Sequence, residues 1–157
     1  MQIQYKTAPV AEIAVIRLPR GTDLMEGIAD VCRRASFGSA VVNCCVGSLA
    51  NAALMYLVPA DNRMGSAYCE PLQLEGPLEI LSAQGMAGTE PSGDLFVHLH
   101  GVVCASDGRV HGGHLLTGRC PVLYTAEIML SRPDGVALRR THDADIDMPV
   151  LMPFDRD

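Results

Sequence analysis

Four of the five histidines in this chain fall within 17 residues. They are His98, His100, His111 and His114, in the run HLHGVVCASDGRVHGGHLLTG. Neutral imidazole is a nitrogen donor for borderline divalent metals such as zinc. On a β-strand, residues two apart share a face. His98 and His100 therefore stand side by side, while Val97, Leu99 and Val103 turn the other way. A third imidazole from the facing strand completes three donors, which leaves the fourth position of a zinc site open.

Register decides which histidine joins. A two-residue hairpin loop at Asp107-Gly108 sets His100 against Leu115 and turns His114 toward the core. A three-residue loop, or a bulge at Gly112-Gly113, sets His100 opposite His114. The second register buries Leu115 instead of a histidine and is preferred. Gly112-Gly113 also leaves room for close backbone approach. His98, His100 and His114 are thus the expected metal ligands, with zinc as the expected cofactor, and His111 turns away.

Other chemistry is less localised. Glu79 and Glu127 interrupt apolar strands and are candidates for moving a proton. Ordinary pairing with Arg17 or Arg119 is the competing reading. Arg17 also stands as a candidate catalytic group, since an arginine can hold a carboxylate. Cys44-Cys45 and Cys104 are possible soft ligands, but core packing suits them better. The six cysteines include no CxxC pair, so neither a zinc ribbon nor a thioredoxin-like site is expected. Gly21, Gly27 and Gly38 form no phosphate-cradling loop.

The elements that must position the histidines are mostly strands. Ile3–Lys6 and Ile13–Leu18 read as short strands. Thr22 offers an N-cap to a helix over Asp23–Ala35, whose apolar residues recur at helical spacing, with Gly38 as the stop. Ala35–Ala60 carries no charge and is long enough to cross a bilayer. Asn43 and Asn51 would then lie in hydrocarbon, so it reads instead as two buried strands, Ala40–Val46 and Ala50–Val58, broken at Gly47-Ser48. Pro59–Pro71 is expected as a loop, Pro77–Ala83 as a strand, and Gly85–Gly93 as a turn region. Leu95–Cys104, Val110–Thr117, Val122–Leu130 and Val136–Arg139 complete the set, and their short connections favour antiparallel pairing. The predicted class is α+β, one main helix on a largely antiparallel sheet. Residues 1–141 form the domain, and 142–157 an extended tail without regular structure.

With 157 residues, 48% of them hydrophobic and 19% charged, one domain has more apolar material than its own core readily hides. A subunit interface is expected. The net charge of −6 argues against a chain that grips duplex DNA by itself. The N-terminal residues hold no signal-like apolar run, and with reduced cysteines the expected location is cytoplasmic.

The segments RLPRGTDLMEGI (Arg17–Ile28), VGSLANAALMY (Val46–Tyr56), GPLEIL (Gly76–Leu81), HLH and DGRVHGGHLLTGRCPVLYTAEIML (Asp107–Leu130) together resemble the PPC domain, conserved in plants and prokaryotes. The resemblance implies an antiparallel α+β domain that assembles as a homotrimer and contacts other proteins. It also implies a fold similar to the zinc enzyme acetolactate decarboxylase, and a metal at His98, His100 and His114. Bacterial members stand alone and are called DNA-binding by analogy with plant relatives, whose AT-hooks hold the DNA. This sequence contains no Arg-Gly-Arg-Pro hook. Two functions follow: a trimeric regulatory or protein-interaction module, or, as the alternative, a metal-dependent enzyme acting on a small hydroxy- or oxo-acid. The tail is expected to pack on a neighbouring subunit.

Overall fold

The computed structural model describes residues 3–156. Met1, Gln2 and Asp157, at the ends of the two expected segments, lie outside the described residues. The strands are β1 (Val10–Pro19), β2 (Ala40–Met55), β3 (Leu57–Pro59), β4 (Ser66–Tyr68), β5 (Leu72–Thr89), β6 (Leu95–Ala105), β7 (Val110–Leu115), β8 (Val122–Pro133), β9 (Val136–Asp143) and β10 (Met148–Asp155). Among the described residues one helix, α1 (Leu24–Arg34), lies between β1 and β2 in the chain. Ile3–Lys6, expected as a strand, forms none.

The main sheet runs β1-β8-β2-β7-β6-β5-β9-β10, and β2 also pairs with β5. The pairings β2–β5, β5–β6, β6–β7 and β7–β2 therefore close a ring around the core. Every pairing is antiparallel except the contact of Thr89 on β5 with Arg139 on β9. The α+β expectation is met, with the helix a small part.

Most of the charge-free segment is one strand of 16 residues, β2, which runs through Gly47-Ser48, and the short β3 follows it. Register shifts between Val42 and Cys44 and around Gly47–Leu49 bend β2 without ending it. It is also not buried on both faces: Cys45, Leu49 and Leu54 point into the core, while Asn43, Cys44 and Val46 are exposed. Its length lets one edge serve β5 and the other serve β8 and then β7. Among the described residues no helix is long and apolar enough to cross a membrane.

β5 begins at Leu72 and reaches Thr89, longer than Pro77–Ala83 at both ends. Gly85 and Gly88, which read as turn residues, sit inside it because neighbouring backbones press on them; only the residues from Glu90 to Asp94 turn. The supposed loop Pro59–Pro71 contains β4, paired to β3. The acidic tail is corrected most. Met148–Asp155 pairs residue by residue with β9 of its own chain. Its prolines, Pro149 and Pro153, are tolerated because β10 is an edge strand that need not donate on both sides. The turn before it is held by Arg63, whose Nη2 donates to the carbonyls of Ala144 and Asp145.

Helix α1 buries Leu24, Met25, Ile28, Ala29 and Cys32 in the same hydrophobic cluster as Leu49, Leu78, Leu99, Leu115 and Ile128 of the sheet. Its N-cap is Asp23, not Thr22. The Asp23 carboxylate accepts from the backbone N–H groups of Met25 and Glu26, and from that of Cys120 at 2.9 Å. The helix caps at Ala35 and is closed by the left-handed Ser36 (φ +56°), not Gly38; Phe37 N–H returns to the Cys32 carbonyl, as in a Schellman closure. Asp23→Ala is expected to cost about 1 kcal/mol for the lost cap. Leaving the Cys120 N–H unpaired adds about 1–3 kcal/mol. A lowered urea midpoint checks this, and an unchanged one refutes it.

All six cysteines are free. Burial pushes the thiols of Cys32 and Cys120 up to about 11 and that of Cys45 to about 12, so they stay protonated and pack as small hydrophobes. The opposite, outward face of β1, β8 and β2 is apolar in an unusual way. Val15 (85% exposed) stands opposite Met129, and Met129 opposite Cys44. Val46, Leu81 and Val102 continue this exposed row across β2, β5 and β6.

Candidate metal centre

The β6–β7 hairpin carries the site. Ala105 N–H donates to the Arg109 carbonyl and Gly108 N–H to Ala105, enclosing Ser106, Asp107 and Gly108 (φ +80°) in a three-residue loop. That loop fixes the register in which His100 faces His114. Leu115 is fully buried, and His111 pairs with Val103, on the side away from the other three. The preference for the leucine-burying register holds.

Two glycines let neighbouring strands close on the histidines. A methyl group at Gly85 would collide with the His98 carbonyl, and one at Gly113 with the Met55 carbonyl. β5 therefore seats His98, and β2 seats His114 through the pair Met55–His114.

His98, His100 and His114 each present one ring nitrogen, and these atoms lie within 4.8 Å of one another. Nε2 of His98 is 3.1 Å from Nε2 of His100. Two nitrogens of a tetrahedral zinc site, each about 2.0–2.1 Å from the metal, are about 3.3 Å apart. At 3.1 Å, one edge of the triangle is close to that length. Nδ1 of His114 is buried and lacks a hydrogen-bond partner, an arrangement that is costly unless something outside the chain completes the site. The donor set fits a divalent metal.

Burial and neighbouring charge favour the neutral form of His98 and His114, the form that ligates. Burial, then the other two histidines, then Arg140 bring His114 down to about 4. Burial, His100 and Arg140 also lower His98. Without metal, the unfolded chain takes up protons near the ordinary 6.5 while folded His114 waits until about 4. The unfolded state thus binds more protons in that window, and stability falls as pH drops through it. The urea midpoint of metal-free protein is expected to decrease from pH 7 to pH 5. His114→Gln should flatten that decrease; an equal slope in both proteins would contradict the assignment.

A cavity of about 430 Å³ opens beside His98 and His114, walled by Tyr68, Phe96, Arg140 and the tail residues Met148–Leu151. Arg140 lies over the Phe96 ring at 4.1 Å and bonds Glu90 through Nη1 at 2.6 Å. Sequence reasoning missed Arg140, yet a signal was present. On β9 the buried Val136 and Leu138 alternate inward, and Arg140 continues that face.

Glu79, Glu127 and Arg17 are all exposed, and none lines this cavity. Glu127 faces Arg17 across β1–β8 and accepts a hydrogen bond from Thr125. The structure does not bring these three to the histidines. Cys44, Cys45 and Cys104 are likewise outside the histidine group.

A closed antiparallel sheet with one helix and three convergent histidines on its central hairpin defines a metal-capable α+β domain. Residues 5–132 match the Plants and Prokaryotes Conserved (PCC) domain, and the chain belongs to that family, the PPC domain of the sequence resemblance.

Three solved structures share the fold. A metal-containing protein from Archaeoglobus fulgidus is 24% identical, with a TM-score of 0.79 over 97% of this chain and 99% of its own. A PPC protein from Pyrococcus horikoshii is 22% identical, with a TM-score of 0.79 over 98% and 100%. A protein from Salmonella enterica gives 22% and 0.79 over 97% and 99%. Among curated proteins, the bifunctional protein GlmU of Synechococcus sp. (strain JA-3-3Ab) is 34% identical over 116 residues. That match covers 74% of this chain but spans only 16% of the GlmU length.

Proposed function

We propose that this chain is a homotrimeric regulatory or protein-interaction module in which His98, His100 and His114 hold one zinc-like divalent ion. The convergence of three imidazole nitrogens from two paired strands carries the reading. The metal-containing relative from Archaeoglobus fulgidus supports it. Among the described residues no carboxylate or thiolate joins the three histidines, so a bound ion keeps a position for water or a small ligand. That position suits a sensory role. The exposed apolar row on the outer sheet face supports self-association, and the family resemblance makes the trimer its form.

The open position and the adjoining cavity favour a second reading, a zinc enzyme acting on a small hydroxy- or oxo-acid, in line with the acetolactate decarboxylase-like fold that the sequence resemblance implies. Against it, the candidate proton carriers Glu79 and Glu127 are exposed away from the cavity. Zinc-dependent turnover of such acids would decide for the enzyme.

Elemental analysis of untagged protein, combined with its mass in solution, tests the main reading. One divalent ion per chain is expected, with a mass of three 16.8 kDa chains, about 50 kDa. A metal-free or monomeric protein overturns it.

Nucleic acid is a minor partner on this reading. With a net charge of −6, the isolated chain is expected to bind duplex DNA weakly and without sequence preference near physiological salt. Sub-micromolar, sequence-selective binding in a titration at that salt would refute this.

A further inference from the structure

The cavity beside the histidines constrains the charge of whatever enters it. Three neutral imidazoles leave a divalent ion with its full charge uncompensated. Among the described residues no aspartate or glutamate lines the cavity, whose wall holds one further charge, the cation of Arg140. Glu90 offsets that cation from one side, through a single guanidinium nitrogen. The stack on Phe96 and the bond to Glu90 fix the guanidinium plane. Arg140 Nε is buried without a partner, so the guanidinium is under-used by the protein. Apart from the phenol of Tyr68, the remaining wall is apolar, with Met55, Met86, Val150 and Leu151 in it.

We infer that the cavity takes a small carboxylic acid with a short apolar substituent, whose carboxylate is held by Arg140 and whose neighbouring oxygen fills the open metal position. This deepens the proposed function and rests on its metal site. The anion supplies the charge that the protein omits. Guanidinium donors in a fixed plane suit a carboxylate better than a point cation would. The thioether and aliphatic wall accepts an alkyl group, and beside Arg140 the lining offers no second Lys or Arg to a second carboxylate. A cavity of about 430 Å³ is near the small end of ligand sites, which favours a compact acid. Arg140 is here a ligand-binding residue.

The test uses full-length protein loaded with zinc or cobalt, its metal content measured first. The probe is 2-hydroxyisobutyrate, with its uncharged amide as control. Titration calorimetry on the zinc form and the visible spectrum of the cobalt form are the readouts. The acid is expected to bind and shift the spectrum, and the amide to do neither. Arg140→Met should weaken binding roughly ten- to hundredfold with metal content unchanged, the size of a lost hydrogen-bonded charge.

Glu90→Gln keeps an acceptor of the same shape but removes the competing charge, so it should strengthen binding. Opposite effects of these two substitutions cannot come from general damage to the fold. Metal retained with no binding of the acid, or equal affinity in the Arg140→Met protein, overturns this inference alone. A wild-type chain that retains no metal overturns the metal site and this inference with it.

Discussion

Replacing His114 by alanine is expected to lower zinc affinity by at least about a hundredfold, while His111→Ala leaves it unchanged. Losing only a residue that orients a ligand costs about 10–100-fold, so loss of one of three direct donors must reach at least the top of that range. His98→Ala should act alike, since its Nε2 forms the short edge with His100. The substitutions should barely disturb the fold. His98 and His114 are only half-buried and His100 is exposed, so alanine opens no core cavity. For metal-free protein, His114→Ala should even be stabilising at low pH, because it removes a group that resists protonation when folded. Competition with a chromophoric chelator measures the affinities. Metal binding that survives His114→Ala but fails in His111→Ala would reverse the register on which the site is built.

That register was legible in the sequence because it posed a two-way choice with a large penalty on one side. Sliding β7 by one residue exposes Leu115 and buries His114, and no intermediate pairing exists. The helix was legible through its apolar spacing, although its cap was displaced by one residue. Asp23 prevails over Thr22 because its carboxylate also reaches Cys120, a partner 97 residues away that local spacing cannot show. The long strands were less legible. Gly47, Gly85 and Gly88 look like breaks in one dimension, but in the folded sheet they lie where neighbouring backbones or side chains press closely. The tail misled through its five aspartates. Its apolar alternation is the stronger signal, because β9 offers an unpaired edge and an edge strand accepts proline. Alternation along β9 marks Arg140 as sharing the face of Val136 and Leu138, but not as a neighbour of the histidines. Arg140 reaches the histidines only because β9 crosses from β8 to the far side of β5 and pairs there in parallel. Position along the chain says nothing of that crossing.

Charging the outer sheet face is expected to convert the proposed trimer to monomer. Val46 and Leu81 flank the paired Gly47 and Ile80, and both are nearly half exposed, at 46% and 48%. They join the row of Val15, Met129 and Val102, with Cys44 beside Met129. Fully burying such side chains contributes roughly 1.5–3 kcal/mol each. Association costs on the order of 4–15 kcal/mol of lost freedom, so the whole row must be covered for the assembly to hold. One dry aspartate opposes this by several kcal/mol, and threefold symmetry repeats every such penalty three times. The pair Val46→Asp and Leu81→Asp should therefore remove the association altogether at micromolar concentration. Glu127 stands opposite Val46 on β8, so a new carboxylate there meets a like charge and finds no ion-pair relief. The monomer should remain folded, since neither side chain belongs to the buried core. It should also keep its metal, because all three histidines come from one chain. Light scattering after size exclusion, with circular dichroism and metal content on the same fractions, reads all three properties. A doubly charged protein that still runs with the mass of three chains would move the interface to another face; one that loses fold and metal together would show that the row belongs to the core after all.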